Sequence, residues 1–416
     1  MLKRILISTS VLLITISTSI AQHETEVFGE NATIKFNTKT ELNLDESAIF
    51  DQIRAKKSTI MLPYLGQNKE FAIEEYSMHA GGKNPYPEIR TYKTVCLDNS
   101  LITGRITAGP AGLMISYQTN NTMYRIYPDL NAKSRIYYHE YGIAPNESGE
   151  LPKCNEHGEI DYNSYSDNIL DTDSKPSLKR NGQTKRQYRV AVVVTGEYYQ
   201  ANGNNNNSVR QMAIANLTDI SAIFEKDLGV EMVMATGAPE LQYTDPNTDI
   251  FIPDNSGGQP RTAQAEQAVM ANFTSNRYDI GHVFHTHSGG DGWSSGGVAG
   301  LGVVCQNAFK GRGWSGSFSN TGNGFVQLAA HEFGHQYWAP HTFNGSGVDN
   351  CDDNISNFSS YEIGSGSTIM SYQGICDPEQ NIPSMGTDDN YFHANSLNRM
   401  VVYMEDNGEC NIDNWI

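Results

Sequence analysis

The chain has 416 residues, long enough for two domains with cores of their own. Its formal net charge of −18 at pH 7 argues against nucleic acid or an anionic membrane surface as a partner. Beyond Ile20 no segment is apolar enough to span a bilayer, so no membrane anchor is expected.

The N-terminus reads as a secretory signal over residues 1–21. Lys3-Arg4 supply the charged start, residues 5–20 an apolar stretch broken by Ser and Thr, and Ser19-Ile20-Ala21 a small-residue cleavage site. No Cys follows the cut, which speaks against a lipid anchor. A secreted chain, extracellular or periplasmic in transit, meets an oxidising compartment, so its six cysteines are candidates for disulfides.

Residues 22–162 carry short apolar and aromatic runs with turn signals between them, for example 32–36, 113–117 and 134–138. They predict a β-rich domain. Residues 163–187 are polar, Asp-rich and then Lys/Arg-rich, a linker composition. The linker holds two dibasic pairs, Lys179-Arg180 and Lys185-Arg186, suited to processing.

From Tyr188 the pattern alternates between strand and helix. Residues 189–194 read as a buried strand. A helix follows, with Leu217, Ile220, Ser221, Phe224 and Leu228 three and four apart and Gly229 suited to its C-cap. A strand at 230–234, a helix over about 261–273 and a strand at 280–284 come next. The expectation is a mixed α/β domain over 188–416 with a largely parallel sheet. His282, His285 and His287 alternate on the last strand and read as structural histidines. Asn216-Leu217-Thr218 and Asn272-Phe273-Thr274 match the N-glycosylation pattern weakly.

His331-Glu332-Phe333-Gly334-His335 follows, with His341 beyond it. On a helix His331 and His335 sit one turn apart on one face, so two imidazoles can meet a single Zn²⁺ with Glu332 beside them to handle a water. The apolar run 324–330 supplies the helix, and Pro340 stops it before His341. Three protein ligands leave the fourth position open, as catalysis needs. A variant of this reading takes the third ligand from Glu362.

The spacing resembles the metzincin zinc endopeptidases, whose pattern is HExxHxxGxxH with a later Met-turn; residues 367–372, Ser-Thr-Ile-Met-Ser-Tyr, look like that turn. One departure is Trp338, which stands where the pattern has the Gly of a sharp turn. The Gly-rich run 297–305 resembles the edge strand of the reprolysin-like (adamalysin-type) branch. The resemblance implies a catalytic domain with an active-site helix, zinc held by His331, His335 and His341, and Glu332 as general base. It also implies an apolar floor from Met370 and substrate pairing along Gly300, Leu301 and Gly302. Tyr372 stands two residues after Met370, where the astacin and serralysin branches carry a Tyr near the metal, which implies a hydroxyl that binds zinc or stabilises the oxyanion. Pro152-Lys153-Cys154 resembles a cysteine switch, which implies a zymogen whose own prodomain inhibits it and a mature chain starting near Gln187. The competing expectation is a Cys96–Cys154 disulfide. The remaining four cysteines allow three pairings; Cys305–Cys410 and Cys351–Cys376 are favoured. The first would tie a strand near the cleft to the C-terminal helix, the second would staple the loop between His341 and Met370. A structural Ca²⁺ is compatible with the Asp/Asn-rich loops. The functional expectation is a secreted zinc endopeptidase acting on proteins or peptides, and the alternative is a metzincin-fold binding protein that has lost activity.

Overall fold

The computed structural model describes residues 38–119, 122–141, 185–236, 243–251, 259–288, 296–346, 351–377, 379–382, 389–407 and Cys410. The signal segment, Cys154, Lys179-Arg180 and the strand expected at 32–36 lie outside the described residues.

The first sheet is an antiparallel meander. Strands β1 (Thr38–Leu42), β2 (Thr59–Tyr64), β3 (Gln67–Tyr76), β4 (Arg90–Cys96), β5 (Thr103–Gly109), β6 (Gly112–Gln118), β7 (Met123–Pro128) and β8 (Tyr137–Tyr141) lie in the order β1-β8-β7-β6-β5-β4-β3-β2. Alternation sets its inner face: Ile60 and Leu62 on β2 are buried while Met61 between them is exposed. They pack with Phe71, Ile106, Leu113, Ile115 and Tyr117, and helix α1 (Glu46–Arg54) adds Ile49. The middle strands β6 and β7 are buried along their whole length, so both of their faces are covered.

The second sheet has five strands. β9 (Arg186–Val194), β10 (Val230–Met234), β11 (Ile280–Thr286) and β13 (Gly313–Ser317) are parallel, in the order β10-β9-β11-β13, and β12 (Gly297–Ala299) closes one edge antiparallel to β13. Parallel strands need crossovers, and helices supply them. β9 leads through α2 (Gly196–Ala201) and α3 (Asn206–Leu228) to β10, and α4 (Gln259–Asn272) precedes β11. Asn205 caps α3 by accepting the Ser208 N–H at 2.9 Å, and Gly229 ends it at φ 65°. Val190, Val192 and Val194 face the core with α3, while Ala191 and Val193 face α4. Both sheets lie within one compact unit, Phe36–Ile416.

One boundary and one modification pattern differ from expectation. The linker does not extend to residue 187: the Arg186 N–H donates to the Gly229 carbonyl at 3.0 Å, and Lys185 Nζ lies 2.9 Å from both Glu225 and Glu231. A dibasic pair in a polar stretch therefore begins a strand, because two carboxylates wait for its lysine. Asn216 is fully buried, with its amide donating to Tyr198 Oη at 3.1 Å and the Asn320 carbonyl at 3.0 Å, so this fold offers no glycan acceptor there.

Candidate metal centre

Helix α5 (Asn323–Gln336) carries the histidine motif, and its apolar face of Phe325, Val326, Ala329, Ala330 and Phe333 is buried in the core between α3 and the second sheet. His331 and His335 stand one turn apart with ring centroids 4.7 Å from each other. The helix ends in a Schellman turn: the Trp338 N–H donates to the His335 carbonyl at 2.8 Å and the Ala339 N–H to the Gly334 carbonyl at 2.9 Å. That turn needs a left-handed residue, and Trp338 supplies it at φ 76°. The departure from glycine thus keeps the glycine's backbone, at a cost of about 1–2 kcal/mol. The indole offsets that cost. It is nearly buried, lying against Gly302 with the Arg399 guanidinium 5.2 Å from its ring centroid.

The reversal delivers His341. Its Nε2 lies 3.1 Å from His331 Nε2 and 3.2 Å from His335 Nε2. Each ring is held from behind through Nδ1, facing the carbonyl of Ile369 at 2.6 Å for His331, of Ala339 at 2.8 Å for His335 and of Asn354 at 2.8 Å for His341. A carbonyl only accepts, so each Nδ1 carries the proton and each Nε2 presents a lone pair. Three lone pairs aimed at one another repel unless a cation lies between them. Tetrahedral Zn–N bonds of about 2.0–2.1 Å place neighbouring nitrogens roughly 3.3 Å apart, close to what is seen. Burial drives His331 and His341 well below the ordinary imidazole range, with the neighbouring rings adding to it, and burial pushes His335 down to about 4. Neutral rings are the ligand form. Among the described residues this triad is the one group of His, Cys, Asp or Glu arranged to hold a metal ion.

The floor comes from the loop after His341. The Thr342 N–H donates to the Met370 carbonyl at 3.0 Å, and Met370 is fully buried under the helix. Gly334 makes that approach possible, since a Cβ there would stand 2.4 Å from Met370 Sδ. Glu362 is not a third ligand. Its carboxylate accepts from the Ser367 N–H at 2.9 Å, the Thr368 N–H at 3.1 Å, Thr368 Oγ1 at 2.6 Å and the Thr342 hydroxyl, tying the Met370 turn to the segment after His341. Disulfides join Cys351 to Cys376 and Cys305 to Cys410. Cys96 is a free buried thiol lying 2.8 Å from Asp98 Oδ1, and Cys154 lies outside the described residues.

The profile of the metallo-peptidase family M12B, reprolysin-like, matches residues 184–399. The chain belongs to this family. A comparison with curated proteins finds no match. M12B peptidases use zinc and act on peptide bonds, and the matched span contains the whole histidine triad.

In this reprolysin-like chain Glu332 is fully buried against β12, where a Cβ on Gly297 would lie 2.5 Å from its Oε1. Gly297 and Gly334 are the site positions that sequence reasoning passed over. Their only signal was a glycine where helix or strand propensity disfavours one. Tyr372 packs beside the triad, its ring centroid 4.6 Å from that of His341 and stacked at 4.4 Å on Phe343. The edge strand is shorter than expected. β12 ends at Ala299, and the chain then turns, with Gly302 at φ 64°. The Gly302 N–H donates to the His335 carbonyl at 2.9 Å and its carbonyl accepts from Tyr403 Oη at 2.7 Å, so Gly302 has no edge to offer. Leu301 is buried and the Gly300 N–H is bonded to the Arg312 carbonyl at 3.0 Å. His282 is structural: its two nitrogens meet Gln336 Oε1 at 2.9 Å and Ser315 Oγ at 2.8 Å, and it stacks on Phe333.

Two measurements follow. Trp338→Ala keeps the left-handed backbone without the ring, whereas Trp338→Gly relieves the backbone as well. Trp338→Ala should unfold at lower urea than the parent, and Trp338→Gly should recover about 1 kcal/mol of that loss; an Ala variant as stable as the parent would mean the ring contributes nothing. The second concerns acid. Burial pushes His282 down to about 3 from 6.5, so the unfolded chain binds its proton first as pH falls. The fold then loses stability below about pH 6.5, by up to about 1.4 kcal/mol per pH unit for this group. His282→Gln can keep both bonds and should flatten that decline between roughly pH 6.5 and 4; an unchanged slope of urea stability against pH contradicts the assignment.

Proposed function

We propose that this M12B peptidase is a secreted zinc endopeptidase made as a latent precursor, with His331, His335 and His341 as its zinc ligands. The observation that carries the reading is the convergence of three Nε2 lone pairs whose Nδ1 protons are all held by backbone carbonyls. A zinc ion held there supplies a Lewis acid that polarises the scissile carbonyl and acidifies the attacking water. Glu332 takes the proton of that water and delivers it to the leaving amine nitrogen. Its burial against Gly297 supports this role by holding the carboxylate in place, so little reorganisation is needed. Met370 keeps the underside of the ligands apolar, and the Tyr372 hydroxyl serves the developing oxyanion. The substrate adds as a strand along β12, the edge of the second sheet, through main-chain bonds that any sequence can make.

Secretion fits the two disulfides, which form in oxidising compartments. Latency rests on Cys154, whose thiolate fills the fourth ligand position until the linker near Lys179-Arg180 is cut; the competing reading is a Cys96–Cys154 disulfide, and the free Cys96 thiol beside Asp98 supports the switch. An inactive binding protein is disfavoured by the complete set of His331, Glu332, His335 and His341.

Glu332→Gln should retain zinc and fold yet lose about 10²–10⁴-fold or more in kcat/KM on a peptide library, with chelator abolishing the parent's activity. Cleavage by the variant within about threefold of the parent would remove Glu332 from the mechanism.

A further inference from the structure

Helix α3 is buried on all sides, polar positions included. Its apolar stripe faces the second sheet; its polar stripe faces the first. Gln211 accepts from the Ala111 N–H at 2.9 Å and donates to the Gly112 carbonyl at 2.7 Å. Asp219 pairs with Arg125 of β7 at 2.9 Å and accepts from the Ser116 hydroxyl. The Arg125 guanidinium, almost wholly buried, also donates to Asn216 Oδ1 at 3.1 Å and to the carbonyls of Thr321 and Gly322 at 2.9 Å each.

Those two carbonyls lead into α5. The helix begins at Gly322, which has no side chain to cap it. Glu140 of β8 takes that role: its carboxylate accepts the Asn323 N–H at 3.1 Å and the Tyr127 hydroxyl at 2.6 Å. Gly322 leaves the space, since a Cβ there would stand 2.6 Å from Glu140 Oε2. The Asn323 amide donates in turn to the Met123 carbonyl at 3.1 Å. A carboxylate at a helix N-terminus meets the positive end of the dipole. At the rim Lys93 of β4 reaches Glu225 at 2.9 Å and Glu231 at 3.0 Å, and Arg105 of β5 reaches Glu225 at 2.9 Å. Opening this interface would expose Met78, Ile89, Met114 and Met123, which share the core of α3, break the hydrogen-bonded Arg125–Asp219 network and uncap the helix that carries the triad.

We propose that the first sheet, residues 38–141, is a permanent partner of the α/β part and not a segment shed on maturation. Cutting the linker leaves a two-chain protein in which Glu140 remains the N-cap of α5. The inference goes beyond the peptidase reading and does not depend on it, because it concerns association and needs no turnover.

The test uses the full chain as Glu332→Gln, with a recognition sequence for an added site-specific protease placed between residues 163 and 184. After complete cutting, the two fragments should co-elute on gel filtration in native buffer and separate only in denaturant. In the cut protein, Arg125→Ala should raise the dissociation constant by about 100-fold or more, whereas Lys93→Ala at the rim changes it by about tenfold or less. Separation of the parent fragments in native buffer overturns the proposal, and so does an Arg125→Ala effect no larger than that of Lys93→Ala. If Arg125→Ala does not accumulate as folded protein, elution of the cut parent decides the matter alone.

Discussion

His341 Nε2 lies 3.1 Å from His331 Nε2 and 3.2 Å from His335 Nε2 because three separate backbone carbonyls hold the rings from behind. Those carbonyls come from three places: the Met370 turn (Ile369), the helix exit (Ala339) and the loop after His341 (Asn354). Each must be in place before the lone pairs converge. Glu362 and the Cys351–Cys376 disulfide hold the loops, and Trp338 holds the exit. The site is therefore a property of the chain reversal as much as of the helix.

Helix α5 links this site to the rest of the molecule. At its start, Arg125 and Glu140 of the first sheet take the Gly322 carbonyl and the Asn323 N–H. At its end, Gly302 and Tyr403 brace the Trp338 turn. Three glycines make room for neighbours along the way: Gly322 for Glu140, Gly334 for Met370 and Gly297 for Glu332. Each is a close approach that a methyl group would block.

The candidate site was legible because its signal is local. Two histidines a helical turn apart, a helix stop at Pro340 and His341 beyond it lie within eleven residues, 331–341. Strands β6, β9, β10 and β11 were legible as short apolar runs, the valines of β9 most clearly. Long-range roles were not. Gln211, Asn216 and Asp219 look like the wet side of an amphipathic helix until the first sheet covers them. Lys185-Arg186 look like linker until Glu225 and Glu231 are brought beside them. The Gly-rich run at 297–305 reads as one strand, but the left-handed Gly302 turns it after three residues of pairing. In each case the deciding partner is far away in sequence, and composition cannot name it.

Zinc-edge X-ray absorption on the purified Glu332→Gln protein tests the central claim most directly. The account predicts one zinc per chain with three imidazole nitrogens at about 2.0–2.1 Å, and loss of one nitrogen together with most of the metal in His341→Ala. Substoichiometric zinc in the parent, or a nitrogen count that His341→Ala leaves unchanged, would contradict it.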